Sequence, residues 1–192
     1  MGVVRVTGGI YRGRVIEVPT GPLDIRPAMD RMRESLFSIL GDLSGRSFLD
    51  LFSGSGIMAL EAASRGAAPI ECVERDRSKL PTLIRNVSIA KERIECHCMP
   101  VERFIRRAKG YAFSVVFCDP PFPYEFRRAL VQDAAAAGLV APGGLLLMHY
   151  PSEDGLDDAA GDLVSFDERE YGRSRVRFYR REENPASGPA TA

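Results

Sequence analysis

Histidine is scarce in this chain, at two residues, and lysine nearly so, at three against 23 arginines. His97 lies between Cys96 and Cys98, but no second ligand pair stands at zinc-site spacing, and the other histidine is the distant His149, so no metal is expected. The four cysteines, Cys72, Cys96, Cys98 and Cys118, fall in or beside apolar runs, which suits reduced thiols packed in a core in a reducing compartment. No apolar run approaches the roughly 20 residues that cross a bilayer. The first residues, with Arg5, Arg12 and Arg14 set among glycines, are unlike a secretory leader. A cytoplasmic location is the expectation. Internal repeats are lacking, and so is net charge, which is formally zero.

What is present is a chain of 192 residues, 45% apolar and 27% charged, enough for one globular domain with a substantial core. Its charge is unevenly spread. Residues 1–16 carry three arginines and no acid, residues 150–168 carry seven acids and no base, and residues 169–181 carry six arginines against Glu170. Basic stretches at both ends are candidate phosphate-binding patches, since arginine offers bidentate contacts; solvated faces are the plainer reading.

Val3 to Thr7 and Arg14 to Val18 flank a glycine-rich loop and predict a small β-hairpin. The loop sets Tyr11 between basic residues, a combination able to stack on a base and hold phosphate. Pro19 to Pro27 reads as a linker. Met29, Met32, Leu36, Ile39 and Leu40 then recur at helical spacing, on a helix that should present Arg26, Arg31 and Arg33 near its start. The expected division is residues 1–28 as a hairpin and linker able to contact nucleic acid, 29–181 as the main domain and 182–192 as a disordered tail.

From Ser47 apolar strands alternate with amphipathic helices: strands near 47–51, 70–74, 93–97, 113–118 and 143–149, helices near 56–66, 77–91, 101–108 and 124–137. Segments near 162–168 and 174–180 form a closing hairpin. This alternation predicts an α/β fold with a mostly parallel, doubly wound sheet, whose ligands lie beyond the carboxyl ends of the strands.

Asp50-Leu51-Phe52-Ser53-Gly54-Ser55-Gly56 follows the first of these strands and opens a helix. Glycines there let the backbone approach a nucleotide-like ligand closely. Glu74 ends the next strand, 18 positions after Gly56, where a carboxylate can accept ribose hydroxyls. NAD is one candidate. Asp50, however, is awkward beside a pyrophosphate and suits the cationic amino-acid end of S-adenosylmethionine. Cys118-Asp119-Pro120-Pro121-Phe122 ends the fourth strand. Asp119 and a rigid carbonyl can accept the two N–H bonds of an exocyclic amine, while Phe122 stacks on its ring.

These motifs resemble those of the class I S-adenosylmethionine-dependent methyltransferases that act on exocyclic amines. Arg5-Val6-Thr7-Gly8-Gly9, Tyr11-Arg12-Gly13-Arg14, Arg26-Pro27, Asp30-Arg31-Met32-Arg33-Glu34-Ser35-Leu36-Phe37 and Tyr171-Gly172 resemble, more narrowly, the bacterial family that methylates a guanine N2 in 16S ribosomal RNA. The resemblance implies a seven-stranded, Rossmann-like sheet with an antiparallel last strand. It implies that Asp50, Phe52, Ser53, Gly54, Ser55, Gly56, Glu74, Arg75, Val101 and Arg31 hold S-adenosylmethionine. Asp119, Pro120, Pro121 and Phe122 would hold the target guanine, and Arg12, Arg14, Arg26 and Tyr171 the RNA. Ala28 stands where the family usually has threonine. The implied partner is 16S ribosomal RNA or a small-subunit assembly intermediate, with no metal and no membrane, and nothing calls for a second copy of the chain. The residues alone leave other targets open: a DNA adenine, a protein glutamine amide, or RNA binding without catalysis.

Overall fold

A computed structural model describes residues 2–19 and 27–183, without the side chains of Pro27 and Ala28. Most of the expected linker, Arg26 within it, and the tail beyond Glu183 lie outside the described residues. In chain order the elements are β1 (Gly2–Arg5), β2 (Val15–Val18), α1 (Pro27–Leu40), β3 (Phe48–Leu51), α2 (Ile57–Ser64), β4 (Ile70–Glu74), α3 (Leu80–Val87), β5 (Ile94–Cys98), α4 (Val101–Arg107), β6 (Phe113–Cys118), α5 (Arg127–Ala136), β7 (Val140–Pro151), β8 (Ala159–Ala160), β9 (Leu163–Glu170) and β10 (Ser174–Arg181). The main sheet runs β5-β4-β3-β6-β7-β10-β9-β8. Strands β5 to β7 are parallel, and β10 is antiparallel to β7 and β9 on either side. This is the expected seven-stranded sheet, extended by the two-residue β8.

The near-continuous apolar runs of β3 and β6 reflect burial on both faces. Phe48, Val115 and Phe117 point into one core with Leu36, Phe37, Leu60 and Leu83 from α1, α2 and α3. Leu49, Leu51, Val116 and Cys118 point into the other, with Phe104, Ile105, Leu130 and Val131 from α4 and α5. Of the stripe on α1, Met32, Leu36 and Leu40 are buried as expected; Ile39 is exposed and Phe37 takes the core position instead.

The hairpin β1–β2 is clamped onto α2. The Ile10 N–H donates to the Ser64 carbonyl (2.8 Å), and the Ser64 hydroxyl donates to the Gly8 carbonyl (2.5 Å) while accepting the Tyr11 N–H (2.8 Å). A Cβ on Gly9, whose φ is 73°, would stand 1.8 Å from the Ser64 oxygen, so only glycine permits this contact. Beside it, fully buried Glu61 accepts the N–H and hydroxyl of Thr7 (2.7 and 2.8 Å) and Arg33 Nε (3.1 Å), and it pairs with Arg65. A buried carboxylate is tolerated only when its lone pairs are filled in this way.

Four expectations are corrected here. Tyr11 is not a free stacking surface; its ring is buried and its hydroxyl accepts the Lys91 N–H at 2.8 Å. Arg33 is buried in the Glu61 cluster rather than presented outward. Cys98 is exposed and Cys96 half-buried, so only Cys72 and Cys118 are core thiols, because β5 is the sheet's edge strand and ends there. The late basic run is also no open patch. Arg177 pairs with Glu168 and Asp158, Arg181 with Asp162, Arg169 with Asp167, and Arg175 with Glu168 and Glu170, because the β9–β10 register sets the acidic run against the basic one.

Glu61→Ala takes from Arg33 and Arg65 their shared buried carboxylate, leaving Arg33 the half-exposed Asp30 at 2.9 Å and the Arg5 carbonyl, and should lower the unfolding free energy by about 3 kcal/mol. Urea unfolding measures the loss, and limited trypsin digestion should show earlier cleavage at Arg12 and Arg14; unchanged stability would contradict the role of this cluster.

Candidate active site

Strand order reverses between β3 and β6. From β3 the chain moves outward through β4 to β5, while β6 lies on its other side and leads to β7. Leu51 and Cys118 are register partners, so the loops after these two strands leave the sheet at one level and wall a crevice, as expected at a topological switch point.

One wall is the glycine turn. Phe52, at φ 66°, occupies the left-handed region that non-glycine residues seldom enter, and Gly54 (53°) and Gly56 (79°) follow it there. The Ser53 hydroxyl donates to the Asp50 carbonyl (2.7 Å) and accepts the Val73 N–H (3.0 Å), so it is spent on holding the turn against β4. Glu74, buried at the end of β4, accepts the Gly54 N–H on Oε2 (3.0 Å) and the Asp76 N–H on Oε1 (2.8 Å). The Ser55 carbonyl accepts Asn86 Nδ2 at 2.8 Å. Gly54 and Gly56 have different reasons to be glycine. A Cβ on Gly56 would stand 2.6 Å from Leu83 Cδ1 and 2.7 Å from Val87 Cγ1, whereas one on Gly54 would find only the Phe52 oxygen, at 3.9 Å. Gly56 lets α2 pack on α3; Gly54 keeps the crevice open.

Asp50 lies beneath this turn with 1% exposure, and its Oδ2 is buried without a partner. Burial first, and the charge of Asp119 second, push its carboxyl well above the usual carboxylate range, against the pull of the Ala59 N–H. An underserved buried carboxyl is a place for a cation.

The other wall is residues 119–126. The Asp119 N–H donates to the Leu51 carbonyl (3.3 Å), linking the two walls. Its Oδ1 lies 2.7 Å from His149 Nδ1, and among the described residues nothing bonds Oδ2 or the Pro120 carbonyl. Arg127 Nη2 donates to the carbonyls of Pro121 (3.1 Å) and Phe122 (2.7 Å), and its Nη1 to Asp154 (2.6 Å), so this loop is pinned. Phe122 is 44% exposed, with its ring 5.8 Å from that of His149. The Tyr124 ring meets Phe52 edge-on at 5.3 Å, closing one end of the crevice, and its hydroxyl donates to Glu102 (2.7 Å) at the start of α4. Burial, then this bond, pushes the phenol's pKa upward.

The crevice thus collects Asp50, Phe52, Ser53, Gly54, Ser55, Gly56, Glu74, Asp119, Pro120, Pro121 and Phe122 from three segments of sequence. Arg75 follows Glu74 and is exposed, and Val101 is buried at the start of α4. Arg31 is exposed on α1, and Arg12 and Arg14 are exposed on the hairpin loop. The Tyr171 hydroxyl donates to Ser35 (2.8 Å), tying the β9–β10 turn to α1. Sequence reasoning missed His149, Tyr124 and Arg127; the one available signal was a histidine ending an apolar strand. A groove of about 490 Å³ between the hairpin and α1, lined by Thr7, Glu34, Phe37 and Arg65 among others, contains none of the crevice residues. The unsatisfied groups and the sheet's reversal point to the crevice instead.

A doubly wound sheet with this glycine turn, a strand-end glutamate and Asp-Pro-Pro-Phe at the switch point is that of a class I S-adenosylmethionine-dependent methyltransferase. A family profile described as "Conserved hypothetical protein 95" matches residues 4–180, and the chain belongs to that family. It is 33% identical over 186 residues, 94% of this chain and 91% of the relative, to the Ribosomal RNA small subunit methyltransferase D of Escherichia coli K12. The solved Escherichia coli protein yhhF superposes with a TM-score of 0.85 at 32% identity, covering 95% of this chain and all of that one. A Thermus hypothetical protein, TTHA0928, does so at 0.77 and 35%, covering 91% and 98%.

Gly56→Ala should cost about 2–5 kcal/mol of stability, since about 1–3 kcal/mol from the methyl group meeting Leu83 and Val87 adds to about 1–2 kcal/mol of strain at its left-handed φ. Gly54→Ala adds a methyl to open space and should cost only about 1–2 kcal/mol of backbone strain. Denaturant titration distinguishes them, and an equal or larger loss for Gly54→Ala would contradict the packing role of Gly56.

Proposed function

We propose that the chain transfers a methyl group from S-adenosylmethionine to the exocyclic N2 amine of a guanine in 16S ribosomal RNA, acting in the cytoplasm during small-subunit assembly. The carrying observation is that two free acceptors, Asp119 Oδ2 and the Pro120 carbonyl, stand beside a glycine turn with an orphaned carboxyl oxygen beneath it. The activity named for the Escherichia coli relative supports ribosomal RNA as the target.

The residues fit the cofactor on two structural grounds. Asp50 Oδ2 is buried and unpartnered among the described residues, which suits the ammonium end, and a Cβ built on Gly54 would meet within 4 Å only the Phe52 oxygen, at 3.9 Å. Phe52, Ser53, Gly54, Ser55 and Gly56 would form the floor, Glu74 and Arg75 the ribose end and Val101 the adenine end, with Arg31 reaching the carboxylate. When bound, S-adenosylmethionine supplies an electrophilic methyl group on a sulfonium with a neutral leaving group. Asp119 and the Pro120 carbonyl draw the amine's two N–H bonds aside, so that the nitrogen lone pair faces out of the guanine plane. Phe122 stacks on the base and fixes that plane. Orientation and electrostatics carry the rate, and no strong base is needed for the attack, since the proton that the methylated nitrogen sheds leaves along its hydrogen bond to Asp119. Arg12, Arg14 and Arg26 meet RNA phosphates, and Tyr171, its hydroxyl held by Ser35, offers its ring.

Small-subunit particles from cells lacking this activity, incubated with the protein and methyl-labelled S-adenosylmethionine, should gain label at a single guanine; unlabelled RNA overturns this substrate. Calorimetry should show binding of S-adenosylhomocysteine and none of NAD. Asp119→Ala should reduce turnover on the order of 100-fold or more with S-adenosylhomocysteine binding nearly intact. Glu74→Ala removes both a ribose acceptor and the support of the Gly54 N–H, and should weaken that binding roughly tenfold or more. Equal losses of binding in both variants would contradict these roles.

A further inference from the structure

We propose that His149 is a positioning residue for the amine site, holding the Asp119 carboxylate in one orientation and backing the Phe122 ring. The proposal rests on the methyl-transfer reading above and adds to it the residue that aims both the acceptor and the stacking surface.

His149 stands on β7, next to Met148, whose register partner on β6 is Cys118. The imidazole is therefore level with Asp119, the residue that leaves β6. Its side chain is 1% exposed, against 29% for Asp119. Nδ1 lies 2.7 Å from Asp119 Oδ1, while Nε2 is buried and has no partner. A proton on Nε2 would be a buried donor without an acceptor, whereas one on Nδ1 meets a carboxylate. The pairing therefore assigns the neutral Nδ1–H tautomer, donating to Asp119.

The consequence is geometric. A carboxylate turns about its last torsion in a broad, shallow well. One strong donor on Oδ1 fixes that torsion and leaves Oδ2, which no described residue bonds, as the oxygen available to the amine. The imidazole is buried while the Asp119 side chain keeps 29% of its surface exposed, so Asp119 has a face that His149 does not cover. The same ring lies 5.8 Å from Phe122 at an interplanar angle of 59°, so it limits how far the exposed phenyl can tilt. His149 itself touches neither base nor cofactor, and its contribution passes through Asp119 and Phe122. Misplacing an acceptor by about 1 Å can reduce turnover about 100-fold.

The test compares His149→Leu, which removes the donor, with His149→Asn, whose amide nitrogen can stand near the place of Nδ1. Wild-type protein must first label ribosomal RNA; failure at that point sinks the methyl-transfer reading itself rather than the role of His149. Given an active wild type, His149→Leu should lower kcat about 100-fold, with S-adenosylhomocysteine affinity within about twofold by calorimetry. His149→Asn should recover at least tenfold of that loss. Wild-type kcat in His149→Leu, or an Asn variant no better than Leu, overturns the proposal. Nitrogen-15 NMR of the imidazole reads the tautomer without turnover: a proton on Nδ1 and a bare Nε2 are expected, and an Nε2–H tautomer overturns it. Should His149→Leu not fold, the NMR tautomer and the kcat of His149→Asn decide the matter alone.

Discussion

The shared register of β3 and β6 is the constraint on which the site depends. Parallel strands bonded so that Leu51 pairs with Cys118 must release their following loops side by side, and the Asp119 N–H bond to the Leu51 carbonyl carries that alignment one residue further. Everything the two loops do together follows from it. A one-residue slip would turn Asp119 to the opposite face of the sheet, away from the glycine turn.

Three buried carboxylates show how the fold separates structure from function. Glu61 is saturated by two arginines and by Thr7, and it locks the hairpin to α2 and α1. Glu74 is held by two backbone N–H groups and shapes the turn while remaining at the crevice. Asp50 retains an oxygen with no partner. Burying polar groups unsatisfied is costly, so the shortfall at Asp50 marks where a ligand's charge belongs. The unpartnered Nε2 of His149 is the corresponding shortfall behind the other wall, and it assigns a tautomer rather than a ligand.

The charge that the sequence displays most openly has a mainly internal use. The acidic run up to Glu168 and the arginines after it largely neutralise one another across the β9–β10 hairpin, whereas Arg12 and Arg14 on the N-terminal loop are exposed. That loop is anchored at one side, because Gly8 and Gly9 lie directly on Ser64 and Arg65 at the end of α2.

The alternation of apolar runs and amphipathic helices determined the sheet and its layers, because a parallel sheet buried on both faces leaves that mark in the order of residues. The glycine turn, Glu74 and Asp119 to Phe122 were legible for a similar reason: backbone conformation and strand-end position are local properties, written in neighbouring residues. Tyr11, Arg33 and the late arginines were misread because burial and pairing depend on residues some 9 to 80 positions away, which no local pattern records. His149 was invisible on the same ground. As sequence it is a lone histidine ending an apolar strand. Only the packing of β7 beside β6, 30 residues apart along the chain, sets its Nδ1 against the one carboxylate that the chemistry needs to hold still.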